Sequence, residues 1–455
     1  MPYLLDAAYF VLLTICSPVL LLRAWRTGKY RDGHAQKLWG RVPRRLGNAP
    51  CLWFHAVSVG EVLLLRPLIA DLHRRRPEWE VVISTTTSTG LEVARRTFPD
   101  LVTFYAPLDF SWAVSRALSR VRPSALVLVE TELWPNLIRA ASNQGTRVAV
   151  INGRISRRSH PRYRRFRALL APTLRRLDVV GAQSEESAAR FRDIGMLADR
   201  VTVTGSIKYD GLEANRDAPK VRSLRRSLGL EGAAGPIFVA GSTMEGEEAV
   251  ALHAYQTVRV DHPELRLVIV PRHPERGADL ARWIESQGHS VWRRSVEHEP
   301  PPAPSPGDLP PVLLIDTVGE LSSLWGMADL AFVGGSLFPG RGGQNMMEPS
   351  AFGASVLFGP HTSNFREAVE GLLDRQAARV VRDADELTEA LRSDLAAPES
   401  AQARGQGARG FVLAQRGATG RTLALLDRLV GRPQQNTHLH GPLLRMGSES
   451  ASSAA

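Results

Sequence analysis

ADLAFVGGSLFPGRGGQNMMEPSAFGASVLFGPHTSN, residues 328–364, sets a buried strand (Ala328 to Val333), a glycine-rich turn, a helix opening near Asn345 and a second short strand (Ser355 to Phe358) in succession. This is the β-loop-α-β order of a parallel sheet. Glycines at 334, 335, 340, 342 and 343 let backbone N–H groups approach a ligand at a helix N-terminus, the geometry that holds a phosphate. A flexible surface loop is the plain alternative. The apolar strand before the glycines, and Glu348 about one turn into the helix where a ribose hydroxyl would meet it, favour a nucleotide. Spacing alone does not name the nucleotide.

Residues 236–420 repeat this order. Ile237 to Ala240 leads into GSTMEGEE, with an S-x-x-E cap at Ser242 and Glu245. Leu265 to Val270 leads into PRHPERG, and Val312 to Ile315 into DTVGEL. His273 has no second histidine at metal-ligand spacing. Residues 298–311, HEPPPAPSPGDLPP, read as an exposed proline-rich loop. Phe411 to Val430 reads as a closing helix, and the tail from Arg432 as disordered.

The preceding half shows seven strand candidates, at Cys51–Phe54, Val81–Ser84, Leu101–Tyr105, Ala125–Val129, Arg147–Ile151, Val179–Ala182 and Val201–Thr204, with helical segments between most of them. That is an α/β, doubly wound pattern, in which ligands sit beyond the carboxyl ends of the strands. The rule selects His55 with SVGE, STTTSTG, ETELWPN, INGRISRRS and TGSIKYD. Ser58 and Glu61 fit a capping box, which pattern alone favours; the functional alternative is a carboxylate placed to take a proton from an attacking hydroxyl. Glu130 and Glu132 end the strand ALVLV, and Lys208 follows VTVTGSI, as either solvated charges or charge-stabilising groups.

The chain has 455 residues, enough for about two to three domains. Its formal charge of +11 is concentrated in two places: residues 1–50 hold eight Lys and Arg against Asp6 and Asp32, and residues 154–176 hold nine arginines and no acid. The remainder is net negative, which disfavours a nucleic-acid binder and favours two local anionic contacts with phosphate or lipid headgroups. Arg154, Arg157 and Arg158 are the acceptor-phosphate candidates. Cys16 and Cys51 stand apart, without metal or redox spacing, consistent with a reducing compartment. Tyr3 to Leu22 is a 20-residue apolar run interrupted by Asp6, long enough to span a bilayer core of about 30 Å. The positive charges follow it, which places everything from Arg23 onward in the cytoplasm. Pro18 and Asp6 leave open a helix lying in the interface or packed on the protein.

With these residues assembled, the chain resembles the Kdo transferases, membrane-anchored GT-B glycosyltransferases that move 3-deoxy-D-manno-octulosonic acid from CMP-Kdo to a lipid A precursor. The matching stretches are FHAVSVGE, VETELWPNL, INGRISRRS, VTGSIKYD, VPRHPERG, DTVGELSSLWGMADLAFVGGS, GGQNMMEP and GPHTSNF. QNMME stands where N-P-L-E is commoner, with Asn345 and Glu348 kept. The resemblance implies two Rossmann-like domains facing a cleft. Its boundaries are an anchor helix at 1–22, a basic juxtamembrane segment at 23–48, an acceptor-binding domain at 49–210, a linker at 211–235, a CMP-sugar domain with closing helix at 236–430, and a tail at 431–455. It implies Glu61 as catalytic base and Glu130 and Lys208 as transition-state stabilisers. Cytidine monophosphate contacts fall on Pro271, Arg272, Val318, Gly319, Glu320, Asn345, Met346, Met347 and Glu348. It also implies inner-membrane localisation, inverting transfer to a 6′-hydroxyl, and neither metal nor cofactor beyond the donor. The rival readings are an anchored GT-B transferase using a UDP-sugar, a non-catalytic lipid-binding protein, and a sugar-nucleotide epimerase on the same fold.

Overall fold

The computed structural model describes residues 3–11, 14–15, 17, 32–232, 235–297, 299–301 and 309–431. Cys16, Pro18 to Leu22, the basic residues Arg23, Arg26, Lys29 and Arg31, most of the proline-rich insertion and the tail from Arg432 lie outside them. Two compact units result, one reaching Gly205 and resuming at Thr419, the other spanning Ser206–Ala418.

The first unit is a seven-stranded parallel sheet: β1 (Cys51–His55), β2 (Glu80–Thr85), β3 (Val102–Tyr105), β4 (Ala125–Val129), β5 (Arg147–Gly153), β6 (Val179–Ala182) and β7 (Val201–Val203), in the order 3-2-1-4-5-6-7. β1 and β4 are buried along their whole length, as strands covered by helices on both faces must be. The second unit is also a seven-stranded parallel sheet: β8 (Ile237–Thr243), β9 (Arg266–Pro271), β10 (Val291–Arg293), β11 (Val312–Leu314), β12 (Leu330–Val333), β13 (Ser355–Phe358) and β14 (Ala378–Val380), in the order 10-11-9-8-12-13-14. Alternate residues of its strands feed two cores, Val239 and Val268 on one face, Phe238, Ala240, Leu267 and Ile269 on the other. Strand order reverses at β1/β4 and at β8/β12, the switch points where doubly wound sheets bind ligands.

Several segments differ from their sequence reading. Residues 211–235, read as linker, contain the helix Pro219–Ser227, whose Val221 and Leu224 are buried in the second unit's core. The closing helix is two helices, Pro398–Ala414 and Ala418–Val430, broken at Gly417 with φ 90°, a left-handed conformation only glycine adopts freely. The later one belongs to the first unit, where Arg421 donates to the Thr204 carbonyl and Asp427 pairs with Arg76 at 2.9 Å. Within the segment 23–48, the described residues pack on the first unit. Val42 is fully buried, and Arg45 donates to the carbonyls of Ala49, Val121 and Arg122 and to Glu80. Arg45 is thus an internal cross-link rather than part of a lipid-facing collar.

The apolar amino terminus is also tied down. Residues 3–11 are helical, and Asp6 is buried. Its carboxylate accepts from the Ser111 N–H at 2.9 Å, the Ser111 hydroxyl and the Asn136 amide at 3.1 Å. Tyr9 donates to Asp109 at 3.2 Å, and Asp109 in turn accepts from the N–H groups of Asn136 and Leu137. The helices Ser111–Val121 and Pro135–Asn143 have no capping side chain of their own. Asp6 and Asp109 satisfy their amino-terminal donors from a distance and meet the positive end of each helix dipole. Burial pushes the Asp109 carboxyl up to about 6, against the opposing hydrogen bonds from Asn136, Leu137 and Tyr9. Among the described residues no helix is long and apolar enough to cross a membrane.

Replacing Asp6 by alanine should leave the Ser111 N–H without its cap and free the terminal helix. The expected cost is about 1–3 kcal/mol, and the chain should become clippable by trypsin near its amino terminus. Wild-type protease resistance in that variant would mean that other contacts hold the helix.

Candidate functional site

In the first unit, Glu61 follows β1 and Glu130 follows β4, neighbours at the switch point. Ser58 caps the helix Val59–Arg75, accepting from the Glu61 N–H at 3.3 Å. The Glu61 carboxylate reaches back, one oxygen accepting from the Val57 N–H at 2.7 Å and the other from the Ser58 hydroxyl at 2.8 Å. The capping reading of this glutamate therefore holds structurally. Each oxygen keeps a lone pair for another donor. Burial pushes the carboxyl up to about 7 against those two hydrogen bonds, and the nearby Glu130 and Glu132 carboxylates add to the rise. A group half-ionised near neutrality, fixed by its own helix start, has the electrostatics of a general base.

Glu130 occupies a left-handed backbone conformation, φ 61°, while its N–H donates to the Ile151 carbonyl at 2.9 Å. Such a φ is uncommon outside glycine and clusters at functional sites. Asn152, φ 52°, is the next case, inside a register shift between β5 and β6 that re-aims the chain leading to Arg154. Glu132 accepts from the Trp134 indole at 3.0 Å, and burial raises its carboxyl too. His55 is buried and neutral, its imidazole pushed down to about 4; Nδ1 lies 2.9 Å from the Ser84 hydroxyl and the ring sits edge-on to Trp134.

The arginine-rich stretch forms the helices His160–Arg165 and Arg167–Leu174. Its charge is partly answered by acids that the local count could not include. Asp193 lies 2.8 Å from His160 and 3.7 Å from Arg164, and Glu186 lies 3.8 Å from Arg157. The Arg154 N–H donates to the Thr131 hydroxyl, and Arg158 is exposed. His160, Arg164, Arg165 and Arg167 line an open cavity of about 470 Å³.

The second unit departs from expectation at the glycine turn. Of the glycines read as phosphate donors, Gly335 turns its N–H to Glu247 at 2.6 Å, joined by the N–H groups of Ser336 and Leu337 at 2.8 and 2.9 Å, while Gly334 and Gly343 donate to the backbone carbonyls of Gly241 and Gly335. Met244 adds a fourth N–H to Glu247 at 2.8 Å. The start of the turn is therefore closed around a fully buried carboxylate of this chain. Sequence reading missed Glu247, assigning the cap instead to Ser242 and Glu245. The helix Glu247–Val258 in fact starts from Gly246, and Ser242 is a third left-handed residue, φ 53°, at a register shift between β8 and β9.

The cytidine monophosphate candidates end or follow β9, β11 and β12 of the same sheet. Asn345 donates to Glu348 at 2.9 Å and accepts the Met347 N–H, which opens the helix Met347–Phe352 with Met346 as its cap. Burial pushes the Glu348 carboxyl up, opposed by hydrogen bonds from Asn345 and Trp325. Glu320 accepts from Arg294 at 3.0 Å and from the Thr317 hydroxyl. Val318 is exposed and Gly319 turns at φ 97°. Pro271 ends β9, buried, and Arg272 follows it with an exposed side chain, its N–H donating to Thr243. Lys208 lies in the 3₁₀ turn Ile207–Tyr209 at the start of the second unit, not in the first as the sequence boundary had it. Among the described residues no group of three His, Cys, Asp or Glu side chains could hold a metal ion.

The family model for 3-deoxy-D-manno-octulosonic-acid transferase (kdotransferase) matches residues 31–211. Proteins named 3-deoxy-D-manno-octulosonic acid transferase are similar along almost their whole length. The one from Haemophilus influenzae is 34% identical, over 93% of this chain and 98% of its own. The one from Bordetella pertussis is 35% identical, over 93% and 99%. Among solved structures, the UDP-GlcNAc 2-epimerase of Neisseria meningitidis is similar in fold, with a TM-score of 0.54, 14% identity and coverage of 82% of this chain and 100% of that one. That likeness concerns the fold, of GT-B type, and not the reaction. The extent and identity of the two transferase matches decide the family: the chain belongs to the 3-deoxy-D-manno-octulosonic acid transferases, which are glycosyltransferases.

Proposed function

We propose that the chain transfers Kdo from CMP-Kdo to the 6′-hydroxyl of a tetra-acylated diglucosamine lipid A precursor, a step of lipopolysaccharide core biosynthesis. The observation that carries the mechanism is Glu61, a positioned carboxylate raised to about 7 at a switch-point strand end. It removes the hydroxyl proton as the oxygen attacks the anomeric carbon. The bond to phosphate breaks on the opposite face with its electron pair leaving on CMP, so configuration inverts. Glu130 and Lys208 stabilise the charge of the oxocarbenium-like transition state and its leaving group. Asn345 and Glu348 meet the ribose, the backbone of residues 318–320 and Met346–Met347 the nucleoside, and Arg272 the phosphate. With the N–H groups of Gly335, Ser336 and Leu337 committed to Glu247, Arg272 carries more of that phosphate contact than spacing suggested.

The reading extends to a place in the cell, the cytoplasmic side of the inner membrane. The terminal helix exposes Tyr3, Leu4, Phe10, Val11 and Ile15, apolar side chains suited to lying in a bilayer interface. Phe166 and Leu169 are exposed among the arginines, a mixture suited to anionic headgroups and to the acceptor's phosphates, with Arg154, Arg157 and Arg158 nearest the strand ends.

Incubation of membranes containing this protein with CMP-Kdo and the tetra-acylated bisphosphate acceptor, followed by mass spectrometry of the lipid, tests the reaction. A gain of one or more Kdo masses is expected. No gain while CMP still stabilises the protein against heat would move the sugar or the acceptor elsewhere.

A further inference from the structure

GPHTSNF, residues 359–365, matches the family yet takes no part in the mechanism above. In the structure it packs directly on the glycine turn. The Asn364 N–H donates to the Gly342 carbonyl at 2.9 Å and its side-chain amide to the Arg341 carbonyl at 3.2 Å. Gly342 has φ 79°, and a Cβ there would stand 2.6 Å from the Asn364 side chain, so glycine is required for this close approach. Between turn and motif lies a cavity of about 480 Å³ within the second unit, inside the size range of small-ligand sites.

Its walls are chemically biased. Arg341 is fixed in place, donating to the Glu245 carbonyl at 3.1 Å and stacking over Phe338. Arg366 is exposed and has no hydrogen bond or ion pair among the described residues. His361, Thr362 and Ser363 add ring nitrogens and hydroxyls, and Glu370 supplies a single acid. Two guanidinium groups suit a planar carboxylate, and the hydroxyls suit a polyol. Asn345, assigned above to the ribose, is only two residues beyond Gly343, within about 7 Å of chain.

We propose that this cavity is the subsite for the sugar of the donor, with Arg366 and Arg341 gripping the carboxylate of the octulosonic acid while Asn345 and Glu348 hold the nucleotide. The inference rests on the donor assigned above. It makes Arg366 a specificity-determining residue that separates an acidic sugar nucleotide from a neutral one.

Steady-state kinetics test it on the full chain in membranes. Arg366→Ala should raise KM for CMP-Kdo about ten- to hundredfold, with inhibition by free CMP and KM for the lipid acceptor unchanged; Arg366→Lys should recover part of the loss. The unchanged CMP inhibition shows that the exposed position leaves the fold intact. Wild-type turnover with an unaltered donor KM in Arg366→Ala overturns the subsite while leaving the reaction standing. A raised acceptor KM at constant donor KM overturns it too, reassigning the cavity to an acceptor phosphate. Absence of wild-type turnover sinks the reading of the reaction, and the subsite with it.

Discussion

Glu61→Gln should lower kcat by about 10²–10⁴-fold without weakening CMP binding. The amide keeps the size of the side chain and one acceptor for the donors at Val57 and Ser58, but it cannot take a proton. The residues proposed to hold the nucleotide lie in the other unit and should lose nothing. Wild-type activity should show the same group in its pH dependence. Burial, reinforced by Glu130 and Glu132, sets the carboxyl at about 7, against the opposing hydrogen bonds from Val57 and Ser58. The active form is the ionised one, so kcat/KM should climb about tenfold per pH unit below that value and level off above it. An unperturbed glutamate would level off near its ordinary 4.5. A profile flat from pH 5 to 8, or a fully active Glu61→Gln enzyme, would remove Glu61 from the role of base. Retained CMP protection against heat in the variant would separate lost chemistry from lost fold.

The two sheets were readable because parallel strands buried on both faces are continuous apolar runs. β1, β4, β12 and β13 announce themselves as CLWFH, ALVLV, LAFV and SVLF. The strands that escaped, β10 and β14, are three residues each, contain an arginine, and form the edges of the second sheet, where one side needs no partner. Strand ends likewise pointed to Glu61, Glu130 and the glycine turn. What spacing could not supply was partnership across the fold. Asp6, read as a flaw in a membrane span, caps a helix beginning at Ser111. The acids that answer the arginine-rich stretch come from the helix Glu185–Asp193. The N–H groups that open the glycine turn, from Gly335 to Leu337, are met by a glutamate 88 residues away from Gly335. A glycine-rich turn states that donors are presented, and only the tertiary structure states to what.

Glu247 is therefore expected to be among the residues least tolerant of change in the second unit. Its carboxylate, fully buried, receives four backbone N–H groups and so ties the helix after β8 to the turn after β12 across the switch point. Glutamine does not substitute. One carboxylate oxygen faces Met244 and Gly335 and the other faces Ser336 and Leu337, so an amide NH₂ would meet two N–H donors whichever way it turned. Leaving two buried donors opposed costs about 3 kcal/mol or more, roughly a 6–12 °C fall in Tm for a unit of this size. Glu247→Ala should suffer similarly, softened only where water enters. Because the turn leads directly into Asn345 and Glu348, CMP affinity should fall with stability. Differential scanning calorimetry with and without CMP decides the matter. A Tm within about 2 °C of wild type would show the contacts to be dispensable. If inorganic phosphate or CMP instead restored the Tm of Glu247→Ala selectively, the cradle would be an anion site that this glutamate occupies in the ligand's absence, and the phosphate assignment would return from Arg272 to the glycine turn.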